Sequence, residues 1–194
     1  MIYSCKIEKG AVFLNGVKQP IGLSNSENWT KELYLELGLN YPKFYKMDDL
    51  SKMAILSFTI LKDTVDFEKF GEDDVSLIFA NSGSSIETDK KFLTSYSENE
   101  SPSPSLFVYT LPNIMTGELA IFNKWFGENI FIINEKYSPE LYLEQINFYF
   151  SKGAKACLCG WVENKNSEQD CTMFLMTNDG AKTTEKELLD IYNQ

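Results

Sequence analysis

The chain has 194 residues, of which 43% are hydrophobic and 14% aromatic, and these proportions predict one globular domain with a substantial buried core. Its formal net charge of −10 argues against nucleic acid or an anionic membrane as a partner. The four cysteines lack the spacing of a disulfide framework, and no run has the length of a signal-peptide core or a membrane span. We therefore expect a cytoplasmic protein.

The first part of the chain predicts a hairpin followed by a short helix. Ile2–Lys6 and Ala11–Leu14 have the composition of short strands, and the Asn15-Gly16 pair is a strong turn signal. After a stretch without a regular pattern, Thr30 is a candidate N-cap for a helix that stops near Gly38.

A long apolar helix and a buried strand are predicted next. Asp48 and Asp49 favour a helix N-terminus through the helix dipole. The apolar residues between Leu50 and Leu61 recur at helical spacing, and so many of them predict a mostly buried helix. Val75–Ala80 is a continuous apolar run, which is typical of a buried strand.

A turn, a helix and a polar loop are predicted in the middle of the chain. Ser82–Ser85 turns the chain into a helix around Glu87–Thr94. Ser95–Ser105 is rich in serine and proline, and this composition predicts an exposed loop within one domain.

Residues 129–162 predict a strand–helix–strand unit of a mainly parallel sheet. Asn129–Ile133 and Ala156–Val162 are apolar runs typical of strands that are covered on both faces. Between them, Ser138 can cap a helix over Glu140–Lys152 that ends at Gly153.

The C-terminal part predicts one further strand and one helix. Cys171–Met176 is apolar enough for a strand. Thr184 and Glu187 have the spacing of a capping box, which predicts a helix over Glu185–Asn193.

Several of these segments together resemble the N-terminal half of the β-ketoacyl synthases, which belong to the thiolase-like superfamily. They keep the order and spacing of that family over the larger part of the chain. The matching segments are Lys46–Ala54, Val75–Phe79 with the turn Ala80–Ser85, Leu111-Pro112-Asn113, Gly127-Glu128-Asn129, and Gly153 with Gly160–Glu163.

The resemblance implies an α/β fold in which residues 1–194 form one thiolase-like half. It further implies a five-stranded mixed sheet of strand order 3-2-1-4-5, with helices on both faces.

The same resemblance implies that the catalytic cysteine of this family is lost. That cysteine lies on a tight turn between a strand and a helix, where the helix N-terminus stabilises a thiolate. Counted from Gly127 and from Gly153 in register with the family, the position is Lys136, and the nearest cysteine is Cys157. The family also uses histidines, and the chain has none. We expect no ketosynthase activity from the chain alone.

Other candidate sites are expected to have structural roles, and no cofactor or metal is expected. Gly83-Ser84-Ser85 could cradle a phosphate but lacks the lysine of a P-loop. Cys157 and Cys159 alternate on one strand and, without histidine, predict small buried side chains. The pairs Asp48-Asp49 and Asp73-Asp74 are expected to be solvated.

A partner-binding surface is predicted beside the strand–helix–strand unit. The helix over 140–152 is apolar nearly all round, so either the rest of the chain or another chain must cover it. In thiolase-like dimers the strand matching Asn129–Ile133 pairs antiparallel with its counterpart across a two-fold axis, and an apolar strand left free would promote aggregation. The predicted interface consists of Ile130, Phe131, Ile132, Ile133, Leu141 and Phe148.

Three functions remain open on the sequence. The first is a non-catalytic subunit that supports a condensing enzyme in fatty-acid, polyketide or aryl-polyene-type biosynthesis, paired with a ketosynthase or with itself. An acyl carrier protein could dock on it through Lys43, Lys46 and Lys52. The second is residual acyl transfer, or half of a composite active site, with Lys136 or Cys159 as the nucleophile. The third is a homodimeric binding protein.

Overall fold

The computed structural model describes residues 2–8, 10–22, 28–99, 102–166 and 168–194. The strands are β1 (Ile2–Glu8), β2 (Ala11–Leu14), β3 (Val17–Lys18), β4 (Val75–Asn81), β5 (Asn129–Ile133), β6 (Ala156–Lys165) and β7 (Glu168–Thr177). The helices are α1 (Trp29–Glu36), α2 (Asp49–Lys62), α3 (Ile86–Asn99), α4 (Pro104–Val108), α5 (Ile114–Asn123), α6 (Pro139–Ser151) and α7 (Glu185–Tyr192), with a 3₁₀ turn at Pro42–Lys46. No helix within these ranges is long and apolar enough to cross a bilayer.

The sheet has seven strands in the order β3-β2-β1-β7-β6-β4-β5, so the expected five strands in the order 3-2-1-4-5 are wrong. The sheet is larger than expected because β2 pairs with β1 and β3 pairs with β2, both antiparallel. The Asn15-Gly16 turn between β2 and β3 has the left-handed conformation that this pair favours. The order differs because β6 and β7 are antiparallel neighbours. β4 then pairs directly with β6, and β1 pairs with the far side of β7.

Helices cover both faces of the sheet, as the resemblance implies. One core lies under α1, α2 and α5, and the other lies under α6 and α7. β6 contributes to both cores because successive side chains of a strand point to opposite faces. Leu158 and Val162 enter the first core, and Cys157, Cys159 and Trp161 enter the second.

Local capping signals fix several helix starts. Asp48 accepts a hydrogen bond from the Ser51 N–H at 3.0 Å and begins α2, and Ser138 accepts one from the Leu141 N–H at 3.4 Å and begins α6. The predicted capping box of α7 is confirmed. The predicted cap at Thr30 is wrong, because α1 begins at Trp29 and Thr30 is buried within it.

The loop predicted over Ser95–Ser105 is wrong over most of its length. α3 continues to Asn99 and α4 begins at Pro104, whereas residues 100 and 101 lie outside the described residues. Ser103 caps α4 and proline occupies its first turn, so the polar composition here encodes a helix start. The rings of Phe92 and Phe107, 5.5 Å apart, hold α3 and α4 together.

Candidate functional site

A cleft of about 500 Å³ opens where the carboxyl ends of the parallel strands β4, β5 and β6 meet. Ligand sites in α/β proteins commonly lie at this edge, because the loops that follow the strands converge there. α7 forms the opposite wall. The cleft is lined by Ser82, Glu135, Lys136, Tyr137, Trp161, Glu163, Lys165, Asn166, Glu168, Asp170, Leu189, Tyr192 and Asn193.

Lys136 lies in the turn between β5 and α6, with its side chain exposed at the cleft. The side-chain amide of Asn134 donates to the Lys136 carbonyl at 2.8 Å and holds this turn. Lys136 does not have a positive φ, so the turn lacks left-handed backbone strain. Among the described residues, no carboxylate pairs with the Lys136 ammonium group.

The turn after β4 binds a carboxylate of the chain itself. The Ser82 N–H donates to Oε2 of Glu163 at 2.8 Å, and the Gly83 N–H donates to Oε1 at 3.2 Å. A Cβ at position 83 would lie 2.7 Å from that Oε1, so a side chain there would displace the Glu163 carboxylate. Glu163 therefore occupies the place that a phosphate would need, which favours the structural role expected for this turn.

Asn81 closes the same turn from inside the protein. Its fully buried side chain donates to the Ser84 carbonyl at 2.9 Å and accepts from the Ser84 N–H at 2.8 Å. These bonds hold Ser84 at a φ of +51°. We did not single out Asn81 or Glu163 from the sequence. The sequence does contain a signal for them. Each is a polar residue near the end of an apolar strand, and the ends of parallel neighbouring strands lie close together.

Aromatic rings join α7 to the turn that carries Lys136. The rings of Tyr137 and Tyr192 stack 4.2 Å apart, and the Tyr137 hydroxyl donates to the Leu188 carbonyl at 3.2 Å. Trp161 contacts both rings edge-on, with centroids 6.2 and 6.5 Å away. These contacts fix α7, which forms one wall of the cleft, to Tyr137 and Trp161.

The cysteines are buried and have no catalytic environment. Cys157 and Cys159 are both fully buried in the second core, as predicted. Burial raises the pKa of Cys157 to about 12 and raises the pKa of Cys159 well above its usual value. Because the thiolate is the nucleophile, Cys159 is excluded from the role considered above. Within the described residues, no cluster of side chains could hold a metal ion.

Three of the four aspartates in the two acidic pairs have structural partners, whereas Asp73 is exposed, as expected. Asp48 caps α2, and burial raises its pKa. Asp49 pairs with Lys91 at 3.0 Å. Asp74 accepts hydrogen bonds from Lys155 and from the Gly71 N–H, and these bonds lower its pKa.

β5 forms one edge of the sheet and, among the described residues, pairs only with β4. The Leu77 N–H donates to the Glu128 carbonyl, and the Asn134 N–H donates to the Asn81 carbonyl, each at 2.9 Å. By the alternation of a strand, Asn129, Phe131 and Ile133 direct their N–H and C=O groups away from β4. The outer side of β5 is therefore free to pair.

Exposed apolar side chains lie on β5 and on the helices α5 and α6. Ile133 is 59% exposed and Phe148 on α6 is 52% exposed, whereas Ile130, Phe131, Ile132 and Leu141 are half-buried. Ile121, on the helix α5 that contacts β5, is 61% exposed, and the sequence analysis missed it. We call Ile121, Ile133, Phe148 and the outer backbone of β5 the β5 edge surface.

The chain itself covers much of α6. Tyr142, Ile146 and Tyr149 are buried against the sheet and α7, and Leu143 and Phe150 pack partly against the same core. Other parts of the chain therefore cover most of the apolar surface of α6. Phe148 is the apolar residue of this helix that stays exposed.

No model of a known protein family matches the chain, and no curated protein is similar to it in sequence. Solved structures are similar to it in fold. A ketosynthase in complex with its chain length factor from Xenorhabdus doucetiae gives a TM-score of 0.61 at 13% identity, over 91% of this chain and 76% of that one. The ishigamide ketosynthase/chain length factor gives 0.66 at 13% identity, over 94% and 62%.

A third similar structure is a type II PKS acyl carrier protein in complex with its ketosynthase bound to the hexaketide. It gives a TM-score of 0.55 at 15% identity, over 74% of this chain and 50% of that one. The matches show that the chain shares its fold with part of these ketosynthase structures. It spans between half and about three quarters of the length of these proteins.

Proposed function

We propose that the chain is a non-catalytic, ketosynthase-like subunit that pairs with a ketosynthase in fatty-acid, polyketide or aryl-polyene-type biosynthesis. The observation that carries the proposal is the β5 edge surface, in a fold shared with ketosynthase/chain length factor complexes. An apolar strand with a free outer backbone is a template for pairing with another chain.

The chemistry of the cleft supports a non-catalytic role. The position that resembles the family's nucleophile carries Lys136, and the chain has no histidine to act as a base or to hold a thioester oxygen. The four cysteines are buried. The backbone N–H groups of Ser82 and Gly83, which could have bound an anionic ligand, already bind Glu163.

The partner is a thiolase-fold chain that presents a matching strand. Antiparallel pairing of the two β5 strands would join the two sheets and bury Ile133 and Phe148 beside the junction. An acyl carrier protein is a second proposed partner. Its docking would depend most on Lys46, because Lys43 pairs with Glu118 and Lys52 approaches Asp49 at 3.7 Å.

The alternative, half of a composite active site, has one observation in its favour, which is that Lys136 faces the cleft. Incubation with an acyl thioester, followed by intact-mass measurement, tests it. Acylation that is lost in Lys136→Arg but kept in Lys165→Arg, a second lysine of the cleft, would favour this alternative.

The proposed pairing is tested by co-expression with the ketosynthase encoded nearest in the genome, followed by light scattering. We expect a one-to-one complex, which Ile133→Lys abolishes because a lysine would be buried without a partner. Leu35→Lys is the matched control, since Leu35 is 61% exposed and lies on α1, which packs against α2. A homodimer sensitive to Ile133→Lys would favour the homodimeric function, and a stable monomer in all cases would contradict the proposal.

A further inference from the structure

Three carboxylates lie side by side across the sheet next to the cleft. Glu8 on β1 and Glu163 on β6 are the direct cross-strand partners of Asp170 on β7. Directly paired residues point to the same face, with Cβ atoms roughly 4.5–5.5 Å apart. We call Glu8, Asp170 and Glu163 the carboxylate row. Like charges placed directly opposite each other destabilise a sheet, so this arrangement calls for a compensating group.

Asp170 feels the charge of Lys6, but the ion pair that Lys6 forms is with Glu8. Lys6 is a cation beside the row, and its ammonium group pairs with Glu8 at 2.8 Å. Glu163 is held by the turn after β4. Oδ1 of Asp170 is buried and accepts no hydrogen bond within the described part of the chain. The charged and titratable groups facing Asp170 are Lys6 and Glu8 from β1, Glu163 from β6, Glu168 from β7 and Tyr192 from α7.

This environment favours the neutral form of Asp170. Burial is the main cause that raises the pKa of Asp170 to about 6; Lys6 lowers this pKa, and Glu8, Glu163 and Glu168 add to the increase. A protonated Asp170 can donate a hydrogen bond to a carboxylate on either side and removes one negative charge from the row. An ionised Asp170 places three negative charges side by side across the sheet.

Lys6 connects the row to α7. Besides Glu8, its ammonium group donates to the backbone oxygens of Tyr192 at 2.8 Å and Gln194 at 3.1 Å. Lys6 itself is almost fully buried. The same Tyr192 stacks on Tyr137 across the cleft. The position of one ammonium group therefore affects both the carboxylate row and the end of the helix that closes the cleft.

We propose that the carboxylate row and Lys6 form a proton-dependent latch that sets how tightly the end of α7 closes the cleft. With Asp170 protonated, Lys6 stays on Tyr192 and Gln194 and the latch is closed. When Asp170 loses its proton, the new carboxylate attracts Lys6 away from those oxygens. The end of α7 loosens, the Tyr137–Tyr192 stack separates, and the cleft widens.

The latch is tested by NMR on the ¹⁵N-labelled full chain between pH 5 and 8. The probes are the Trp161 indole N–H and the backbone N–H groups of Tyr192 and Asn193. We expect one transition with a midpoint near pH 6. Asp170→Asn, which mimics the protonated form, should hold the spectrum in its low-pH state. Asp190→Asn, which removes an exposed carboxylate of α7, should leave the transition in place.

A flat titration of the wild type, or an unchanged transition in Asp170→Asn, would overturn the latch. Glu8→Gln gives an independent check, because it removes one opposing charge and leaves Lys6 freer to pair with Asp170. The midpoint should then move to lower pH. The ¹³C shift of the Asp170 carboxyl carbon measures the same proton directly, and a midpoint below 5 would also overturn the proposal. None of these readouts depends on a ketosynthase partner.

Discussion

The two edges of the seven-stranded sheet are built in opposite ways. One edge is β3, which has two residues and ends in an exposed lysine. The other is β5, which has five residues, four of them apolar and none charged. Short strands and lysine protect an edge from pairing, whereas a longer apolar edge invites it. The difference indicates that the chain is built to leave one edge available.

The largest effect is expected from proline scanning of the β5 edge. Ile132→Pro removes an N–H that points towards β4 and should lower the free energy of unfolding by about 3 kcal/mol. Ile133→Pro removes an outward N–H, which an edge strand tolerates, so the fold should survive while pairing with a partner is lost. Urea denaturation and light scattering measure the two effects. If both prolines destabilised the protein equally, the Ile133 N–H would be bonded within the chain, and the outer edge of β5 would not be free.

The interior of the sheet provides a second test through Asp170. Its folded pKa of about 6 lies above an unfolded value of about 3.9, so ionisation costs stability above pH 6 and nothing below pH 4. Wild-type stability should therefore fall as the pH rises from about 4 to 6. Asp170→Asn should be more stable by about 3 kcal/mol at pH 7.5 and unchanged at pH 3.5. Denaturation at both pH values checks the sign, and equal stability of the two proteins at pH 7.5 would contradict it.

A smaller effect is expected at the start of α6, the helix beside the open edge. Ser138→Ala removes the N-cap hydrogen bond to Leu141 and should cost about 1 kcal/mol. Ser103→Ala is the matched control, because Ser103 caps the five-residue helix α4 with a bond of the same length. The control should cost less, since the sheet does not depend on α4. Thermal unfolding compares the two variants, and a larger loss in the control would reverse their ranking.

The smallest effect is expected at the protected edge. Val17 is 64% exposed on β3, and Val17→Lys should change stability by less than about 0.5 kcal/mol. It should also leave assembly unchanged by light scattering, in contrast to Ile133→Lys. A loss of assembly in Val17→Lys would show that partners bind at β3, which would contradict the proposed pairing through β5.

The features that sequence reasoning predicts well are those encoded within a few residues. The Asn15-Gly16 turn, the Ser138 cap and the Thr184–Glu187 box each depend on adjacent positions, and the structure contains all three. The serine-rich stretch after position 95 failed because composition suggested a loop, whereas Ser103 in fact caps a helix.

The candidate site depends on pairings between distant parts of the chain. Glu8 meets Asp170 only because β1 pairs with β7, and the expected strand order did not contain that pair. Glu163 meets Gly83 only because β4 and β6 are neighbours. Lys136 could be placed at the cleft from the resemblance, but the carboxylate row around Asp170 could not.

The contrast between the two edges also limits how large an assembly can grow. A sheet with two open edges can add chains at both sides and extend into a fibre, whereas a sheet with one open edge has a valence of one. Pairing through β5 would consume that single valence and leave only the two-residue strands β3 at the outside. Association by this route would therefore close at two chains, whatever the protein concentration.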